Sequence, residues 1–363
     1  MKKIKVNLDR RTSHSYEICT GTNILDRIGV VIAKNNAASR YAVISDSNVA
    51  PLYGEQFLTL MRKMGLNATL LEIAAGETSK NMETTLSVVG KLIALGIDRD
   101  SVLIALGGGV IGDLTGFIAS LYMRSIPYIQ IPTSLLAQVD SSIGGKTGID
   151  LPEGKNLLGT FYQPKMVFID LHFLATLPEE EFNNGLAEIV KYGIIDDREL
   201  FAILEEKIEA VKNRDMDILE MIVRRAGKIK KGIVEIDEKD VGIRRILNFG
   251  HTIGHALEAS SEYTVSHGNA VAVGMIAAAR TSEKLHHLSP ADRSRIEHLI
   301  SAMGLLDHIP EQVKTADIIS RMRSDKKKKG DAIHFVLLKK IGVPFINGSV
   351  DEGLVQDIIE ELR

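Results

Sequence analysis

The stretch SVLIALGGGVIGD, residues 101–113, decides the fold. Its five consecutive apolar residues, 102–106, read as a strand buried on both faces, as in a parallel sheet covered by helices. Three glycines follow, Gly107, Gly108 and Gly109, and a helical pattern opens directly behind them. With Gly112 they satisfy G-x-G-x-x-G, a spacing that lets backbone amides at a helix N-terminus approach a pyrophosphate. Asp113 brings a carboxylate close to where phosphates would lie.

Similar apolar runs flank this one: IKVNL from Ile4, YAVISD from Tyr41, ATLLEI from Ala68 and YIQIP from Tyr128. Between them, residues 51–64 and 84–95 carry apolar side chains at helical spacing, so the pattern predicts βαβ units on a mostly parallel sheet. After about Asp170 helical patterns take over, at 178–192, 198–212, 216–234, 252–261 and 267–284. HFVLL from His334 is the one convincing late strand, and the charged cluster 325–329 before it reads as a loop. The expected fold class is α/β, with a Rossmann-like, nucleotide-binding parallel-sheet domain over 1–170 and a mainly α-helical domain over 171–363. Neither internal repeats nor low-complexity linkers separate the two, which predicts a shared cleft.

A chain of 363 residues suits two domains, and 45% hydrophobic with 25% charged residues excludes disorder as the dominant state. Lys and Arg number 44 against 47 Asp and Glu, so no bulk positive field favours nucleic acid or an anionic membrane. Cys19 stands alone, the N-terminus lacks the apolar run of a signal peptide, and the apolar stretch 270–279 falls far short of the ~20 residues that span a bilayer. These features predict a cytoplasmic protein.

Asp46 and Asn48 follow one predicted strand, and Glu77 and Lys80 another, where open α/β sheets bind ligands. In NFGHTIGHALE, His251 and His255 stand at i and i+4 on one helix face, with His267 ahead of a small-residue helix and Glu188 on another helical pattern. Two histidines plus one carboxylate make a normal catalytic zinc set. Single histidines are more often caps or core residues, and His286, His287 and His298 read as surface. The glycine-dense segment 139–156 contains Asp140, Lys146, Lys155 and Asn156, which suggests close backbone approach to an anionic ligand. Lys230, Lys231, Arg244, Arg245 and the lysines 326–329 add local positive charge. The residues thus point to a nucleotide and metal site between domains, acting on a small anionic substrate by redox or Lewis-acid chemistry.

Long motifs from about residue 41 to 342 carry a further signal: GGGVIGDLTGFIASLYMR, PTSLLAQVDSSIGGKTGID, GKNLLGTFYQP, TLPEEEFNNGLAEIVKYG and DEKDVGIRRILNFGHTIGHALE followed by SHGNAVAVGM. Together they resemble the 3-dehydroquinate synthase family of sugar phosphate cyclases. The resemblance implies bound NAD⁺, a divalent metal (Zn²⁺ or Co²⁺), a homodimer, and conversion of 3-deoxy-D-arabino-heptulosonate 7-phosphate into 3-dehydroquinate and phosphate. It implies Glu188, His251 and His267 as metal ligands. It implies Asp46, Asn48, Glu77, Lys80, Gly107, Gly108, Gly109, Asp113, Thr133, Ser134, Lys155, Phe173 and Thr176 at NAD⁺. Lys146, Asn156, His255, Lys326 and Arg124 of the neighbouring subunit would face the substrate phosphate. Lys231, Arg244 and Asn248 would face its carboxylate, with Asp140 and Lys191 near the reacting hydroxyls.

Three positions depart from the family pattern: Ser125 and Ser134 replace a usual glycine and threonine, and Asp240 a usual glutamate. The interval from Lys231 to His251 is one residue shorter than common, so Lys230 or Lys231 fills the carboxylate role. Rival readings are a glycerol dehydrogenase-type oxidoreductase, a sister sugar phosphate cyclase, and a non-catalytic nucleotide and metal sensor. The first needs no phosphate-binding lysines, the second no carboxylate-binding cations, and the third predicts missing ligands.

Overall fold

Apolar runs at 41–46, 102–107, 128–132 and 166–170 form strands buried along their whole length, as burial on both faces requires. The structure is a computed structural model; it describes residues 15–35, 38–329, 334–348 and 350–363, with the backbone alone for 324–329. The strand expected from Ile4 lies outside the described residues. In chain order the first half contains β1 (Glu17–Gly21), α1 (Leu25–Asn35), β2 (Tyr41–Asp46), α2 (Glu55–Lys63), β3 (Ala68–Ile73), α3 (Met82–Ala94), β4 (Val102–Gly107), α4 (Gly109–Leu121), β5 (Tyr128–Pro132), β6 (Lys146–Leu151), β7 (Gly154–Phe161) and β8 (Met166–Asp170).

Six of these strands make one sheet in the order β1-β8-β5-β4-β2-β3, every pair parallel. Side chains alternate between its faces. Ala42 and Ile44 of β2 join a core with Val88, Leu92, Leu114 and Phe117 of α3 and α4, while Tyr41 and Val43 join Ile28, Ile32, Phe57 and Met61 of α1 and α2. The order of the strands reverses between β2 and β4, so the carboxyl ends of these two, at Asp46 and Gly107, flank the crevice where open α/β sheets bind ligands.

One strand of this sheet carries little sequence signal: β1 is a short mixed run, EICTG, half-buried rather than buried throughout like β8. From Lys146 onward the glycine-dense segment forms an antiparallel hairpin, β6–β7. Its glycines let two backbones nearly touch: a Cβ at Gly159 would stand 2.3 Å from the Thr147 carbonyl oxygen.

The rest of the described chain is α5 (Glu179–Ile195), α6 (Arg198–Glu206), α7 (Ile208–Lys212), α8 (Met216–Ile236), α9 (His251–Ser260), α10 (His267–Lys284), α11 (Pro290–Ala302), α12 (Thr315–Lys329), the hairpin β9 (Phe335–Lys340) and β10 (Val343–Asn347), and α13 (Glu352–Glu361). Residues 325–329 are the last turns of α12, not a loop, because the helix that starts at Thr315 continues through them. No helix among the described residues is long and apolar enough to cross a membrane.

Candidate active site

Glycines at helix crossings bring three donors together. Gly274 of α10 lies so close to α9 that a Cβ would stand 1.9 Å from the Gly250 carbonyl oxygen, and one on Gly268 would stand 2.5 Å from the Asn184 Cα of α5. Glu188 of α5 and the first residues of α9 and α10, His251 and His267, therefore converge. Glu188 Oε1 lies 3.5 Å from His251 Nε2 and 3.8 Å from His267 Nε2. Three ligands held roughly 2.0–2.2 Å from one tetrahedral ion stand roughly 3.3–3.6 Å apart, so the spacing fits a divalent metal. Neither Glu188 oxygen, fully buried, makes a hydrogen bond of good geometry, although Lys191 is ion-paired with Oε2. His251 Nδ1 faces the Phe249 carbonyl at 3.1 Å and His267 Nδ1 faces Glu258 Oε2 at 3.4 Å, which leaves both Nε2 atoms for a metal.

Electrostatics favour that role for His251 and Glu188, whereas at His267 burial is outweighed by Glu188 and Glu258, which raise the imidazole to about 9, so a metal binding there displaces a proton. Burial and then the charge of Lys191 hold the His251 imidazole well below its usual pKa, as a ligand needs. Burial would raise the Glu188 carboxyl, but Lys191 and the two histidines outweigh it and keep it well below the usual range. His255 stands beside His251 on α9, 5.1 Å between ring centroids; it is exposed and falls within a second donor group with Glu258 and His267.

A second cluster adjoins this one. Asp140 accepts hydrogen bonds from Lys230 Nζ at 2.5 Å and from the Tyr192 hydroxyl. Burial works against its ionisation, yet Lys230 and Lys191 hold it at about 2. Burial lowers Lys230, and the charges of Lys191 and Arg244 lower it further. Arg244 is 2% exposed; Nη1 donates to the Glu238 carbonyl at 2.7 Å, while its buried Nε has no hydrogen-bond partner. Its neighbour Gly144, at φ +100°, must be glycine, since a Cβ there would stand 2.5 Å from Nη2. Lys231 is corrected: it points to solvent, 57% exposed and paired with Glu235, because one helical step turns it away from the face that buries Lys230. Asn248 is exposed near the same segment, and Lys146 pairs with Asp240. The side chain of Lys326 lies outside the described residues.

At the sheet's carboxyl edge, Gly108 caps α4 without any side-chain hydrogen bond, and none of Gly107, Gly108 and Gly109 has positive φ. Their use is close approach: Cβ atoms on Gly108 and Gly109 would meet Ser134 Oγ at 3.4 Å and Ser141 Oγ at 3.2 Å. This uncapped N-terminus of a 13-residue helix at the switch point fits a dinucleotide pyrophosphate. Lys80 gathers the neighbouring candidates, donating to Asp113 at 2.7 Å and Asn156 at 2.6 Å, with Glu77 at 3.9 Å. Asp46 accepts from the Asn48 and Val49 amides, Thr133 and Ser134 are buried beyond β5, and Thr176 meets the Tyr53 hydroxyl at 2.6 Å. Phe173 packs in the core 4.7 Å from the Tyr53 ring, so its side chain offers no face to a ligand. Lys155 pairs with Glu258 at 2.8 Å, and Glu258 and then Glu77 raise its ammonium against the effect of burial. Arg124 is exposed on the far side of α4, in a run of three left-handed residues, Met123, Arg124 and Ser125, whose φ values are +48°, +68° and +89°. The last explains why glycine is usual where Ser125 stands.

Tyr192, Glu258 and Lys230 are the site residues that sequence reasoning missed or left open. Tyr192 adjoins Lys191, and Glu258 stands at i+3 from His255, so helical spacing was the available signal.

Residues 70–184 match the family model "3-dehydroquinate synthase N-terminal" and residues 185–328 the model "3-dehydroquinate synthase C-terminal". The chain is 43% identical over 361 residues to 3-dehydroquinate synthase of Acidithiobacillus ferrooxidans, covering 99% of this chain and 98% of that one. It is 42% identical over 364 residues to the enzyme of Vibrio atlanticus, covering 100% and 99%. Among solved structures, the 2-epi-5-epi-valiolone synthase of Streptomyces hygroscopicus with NAD⁺ and Zn²⁺ bound superposes with a TM-score of 0.89 at 29% identity, covering 99% of both chains. A 2-deoxy-scyllo-inosose synthase complexed with carbaglucose-6-phosphate, NAD⁺ and Co²⁺ gives 0.87 at 28%, covering 95% of this chain and 96% of that one. A glycerol dehydrogenase from Schizosaccharomyces pombe shares the fold, at 16% identity and a TM-score of 0.67 over 99% of this chain and 92% of that one. The chain belongs to the 3-dehydroquinate synthase family.

Proposed function

We propose that this protein is a 3-dehydroquinate synthase, a carbon–oxygen lyase that converts 3-deoxy-D-arabino-heptulosonate 7-phosphate into 3-dehydroquinate and phosphate. One observation supports the substrate class: Lys191, Lys230 and Arg244 lie buried beside the metal site, with Asp140, Glu188 and Asp237 as their carboxylate neighbours and the Arg244 Nε left without an acceptor. A buried guanidinium N–H without a partner calls for an acceptor, and a divalent ion bound at Glu188, His251 and His267 would make the balanced cluster net positive, which favours an anion. Residues 1–170 hold NAD⁺ at the glycine turn and residues 171–363 hold the metal and most substrate groups. When bound, NAD⁺ supplies a reversible hydride acceptor and the divalent ion a Lewis acid for the oxygen being oxidised.

The chain's own groups bind and orient. Lys230 takes the carboxylate role with Arg244 and Asn248, supported by the buried Arg244 Nε that lacks a protein acceptor. Lys146, Asn156, His255 and Lys326 take the phosphate. Asp140, ionised at neutral pH, accepts a hydrogen bond from a substrate hydroxyl, and Tyr192 and Lys230 hold it in place. The substrate's own phosphate serves as base for its elimination, so no side chain is assigned that step.

A homodimer belongs to the same proposal, with Arg124 reaching the partner's phosphate site. Exposed Leu121 and Met123 beside it, and Leu157, Leu158 and Phe161 on β7, support a covered face there. The reaction also puts the enzyme in the cytoplasm. The test is product identity: the heptulosonate phosphate should yield 3-dehydroquinate, while sedoheptulose 7-phosphate, which lacks the carboxylate, should not be cyclised. Equal turnover of both would favour a sister cyclase, and stoichiometric NADH a dehydrogenase.

A further inference from the structure

Glu258 joins the β6–β7 hairpin to the metal site. It lies on α9, seven residues after His251, with its side chain 10% exposed. Oε1 accepts from Lys155 Nζ at 2.8 Å, and Oε2 lies 3.4 Å from Nδ1 of His267. Lys155 comes from β7, in the other half of the chain, and its ammonium stands 4.4 Å over the Tyr263 ring.

An imidazole that gives Nε2 to a metal must keep its proton on Nδ1, and an acceptor at Nδ1 fixes both tautomer and ring plane. For His251 that acceptor is a backbone carbonyl, which moves only with the chain. For His267 it is a side-chain carboxylate, which must itself be held. Lys155 supplies the hold, as a charge-assisted hydrogen bond between a strand and a helix. Glu258 also falls within a donor group with His255 and His267, which makes ion binding by Glu258 itself the rival role. The ammonium already on Oε1 opposes that, because a second cation there would meet like charge.

We propose that Glu258 is a positioning residue for His267, and that Lys155 keeps it so, coupling the β6–β7 hairpin to the geometry of the metal site. The inference rests on the metal reading given under Proposed function.

Zn²⁺ affinity of the full chain, measured by competition with a chromophoric chelator, tests it, with the absorption spectrum of the Co²⁺ form as a report on ligand geometry. Wild type should bind one ion. Glu258→Gln should bind it ~10–100-fold more weakly, with an altered Co²⁺ spectrum. Lys155→Met should show a smaller loss, Lys155→Arg should recover most of it, and the double variant should be no weaker than Glu258→Gln alone. Wild-type affinity and spectrum in Lys155→Met and Glu258→Gln would overturn the proposal; should Glu258→Gln not fold, wild-type behaviour of Lys155→Met suffices. Two ions per wild-type chain, one lost in Glu258→Gln, would make Glu258 a ligand and also overturn it. His251→Ala separates the two readings. If it binds Zn²⁺ like wild type, the metal reading itself fails; if it alone loses the ion, only the positioning role does.

Discussion

Replacing Gly274 by alanine should disable the metal site without touching a ligand. A Cβ there would stand 1.9 Å from the Gly250 oxygen and 2.9 Å from the Gly254 nitrogen. Carbon and oxygen approach comfortably to roughly 3.3 Å, so the helices must part by roughly 1.4 Å. The opposing atoms are backbone, and no rotamer change relieves the clash. Gly250 directly precedes His251, so α9 carries that ligand with it, whereas metal sites tolerate displacements of roughly 0.2 Å. Overpacking should cost about 1–3 kcal/mol of stability. A misplacement of this size should reduce turnover about 100-fold. Gly232→Ala is the matched control: it lies inside α8, with nothing within 4 Å of its added Cβ. It should stabilise the helix by about 0.5–1 kcal/mol and leave zinc alone. Zinc per chain by elemental analysis, thermal midpoint and turnover decide the matter together. Gly274→Ala with full zinc affinity and normal turnover would refute the claim that this helix contact positions His251.

Adjacent lysines should behave oppositely: Lys230→Met should lower kcat/KM at least ~100-fold, about 3 kcal/mol of charge-assisted binding, while exposed Lys231→Met stays within about twofold. Equal effects in steady-state kinetics would undo the assignment. Asp140, held at about 2 in the folded chain and about 3.9 when unfolded, contributes stability that is present above about pH 4 and lost as pH falls towards 2. The stability deficit of Asp140→Asn in urea melts should therefore shrink across that window; a pH-independent deficit refutes this. Arg124→Ala and Lys146→Ala, each nearly inactive, should recover roughly a quarter of wild-type activity in randomly mixed dimers, since half are mixed and each has one intact site. No recovery after subunit exchange confirmed by mass spectrometry removes Arg124 from the partner's site.

What the sequence made legible follows from local periodicity. The central strands announce themselves because both faces are buried, and α10 shows its full span, 267–284, through its small-residue pattern. The metal trio is legible as residue types on helical patterns. Orientation was less accessible. Lys230 and Lys231 differ only by a rotation about α8, which its packing against the Asp140 turn settles. The β6–β7 hairpin was hidden because Gly148 and Gly159, facing each other, remove the side-chain alternation that marks a strand. The link from Lys155 to Glu258 spans 103 positions, beyond any local pattern.

Continuous measurement of phosphate release from 3-deoxy-D-arabino-heptulosonate 7-phosphate, by enzyme carrying zinc and a single equivalent of NAD⁺, tests the central claim most directly. The account predicts many phosphates per NAD⁺, 3-dehydroquinate equal to the phosphate released, and no net NADH. Product limited to the NAD⁺ supplied, or NADH accumulating with substrate consumed, would contradict it.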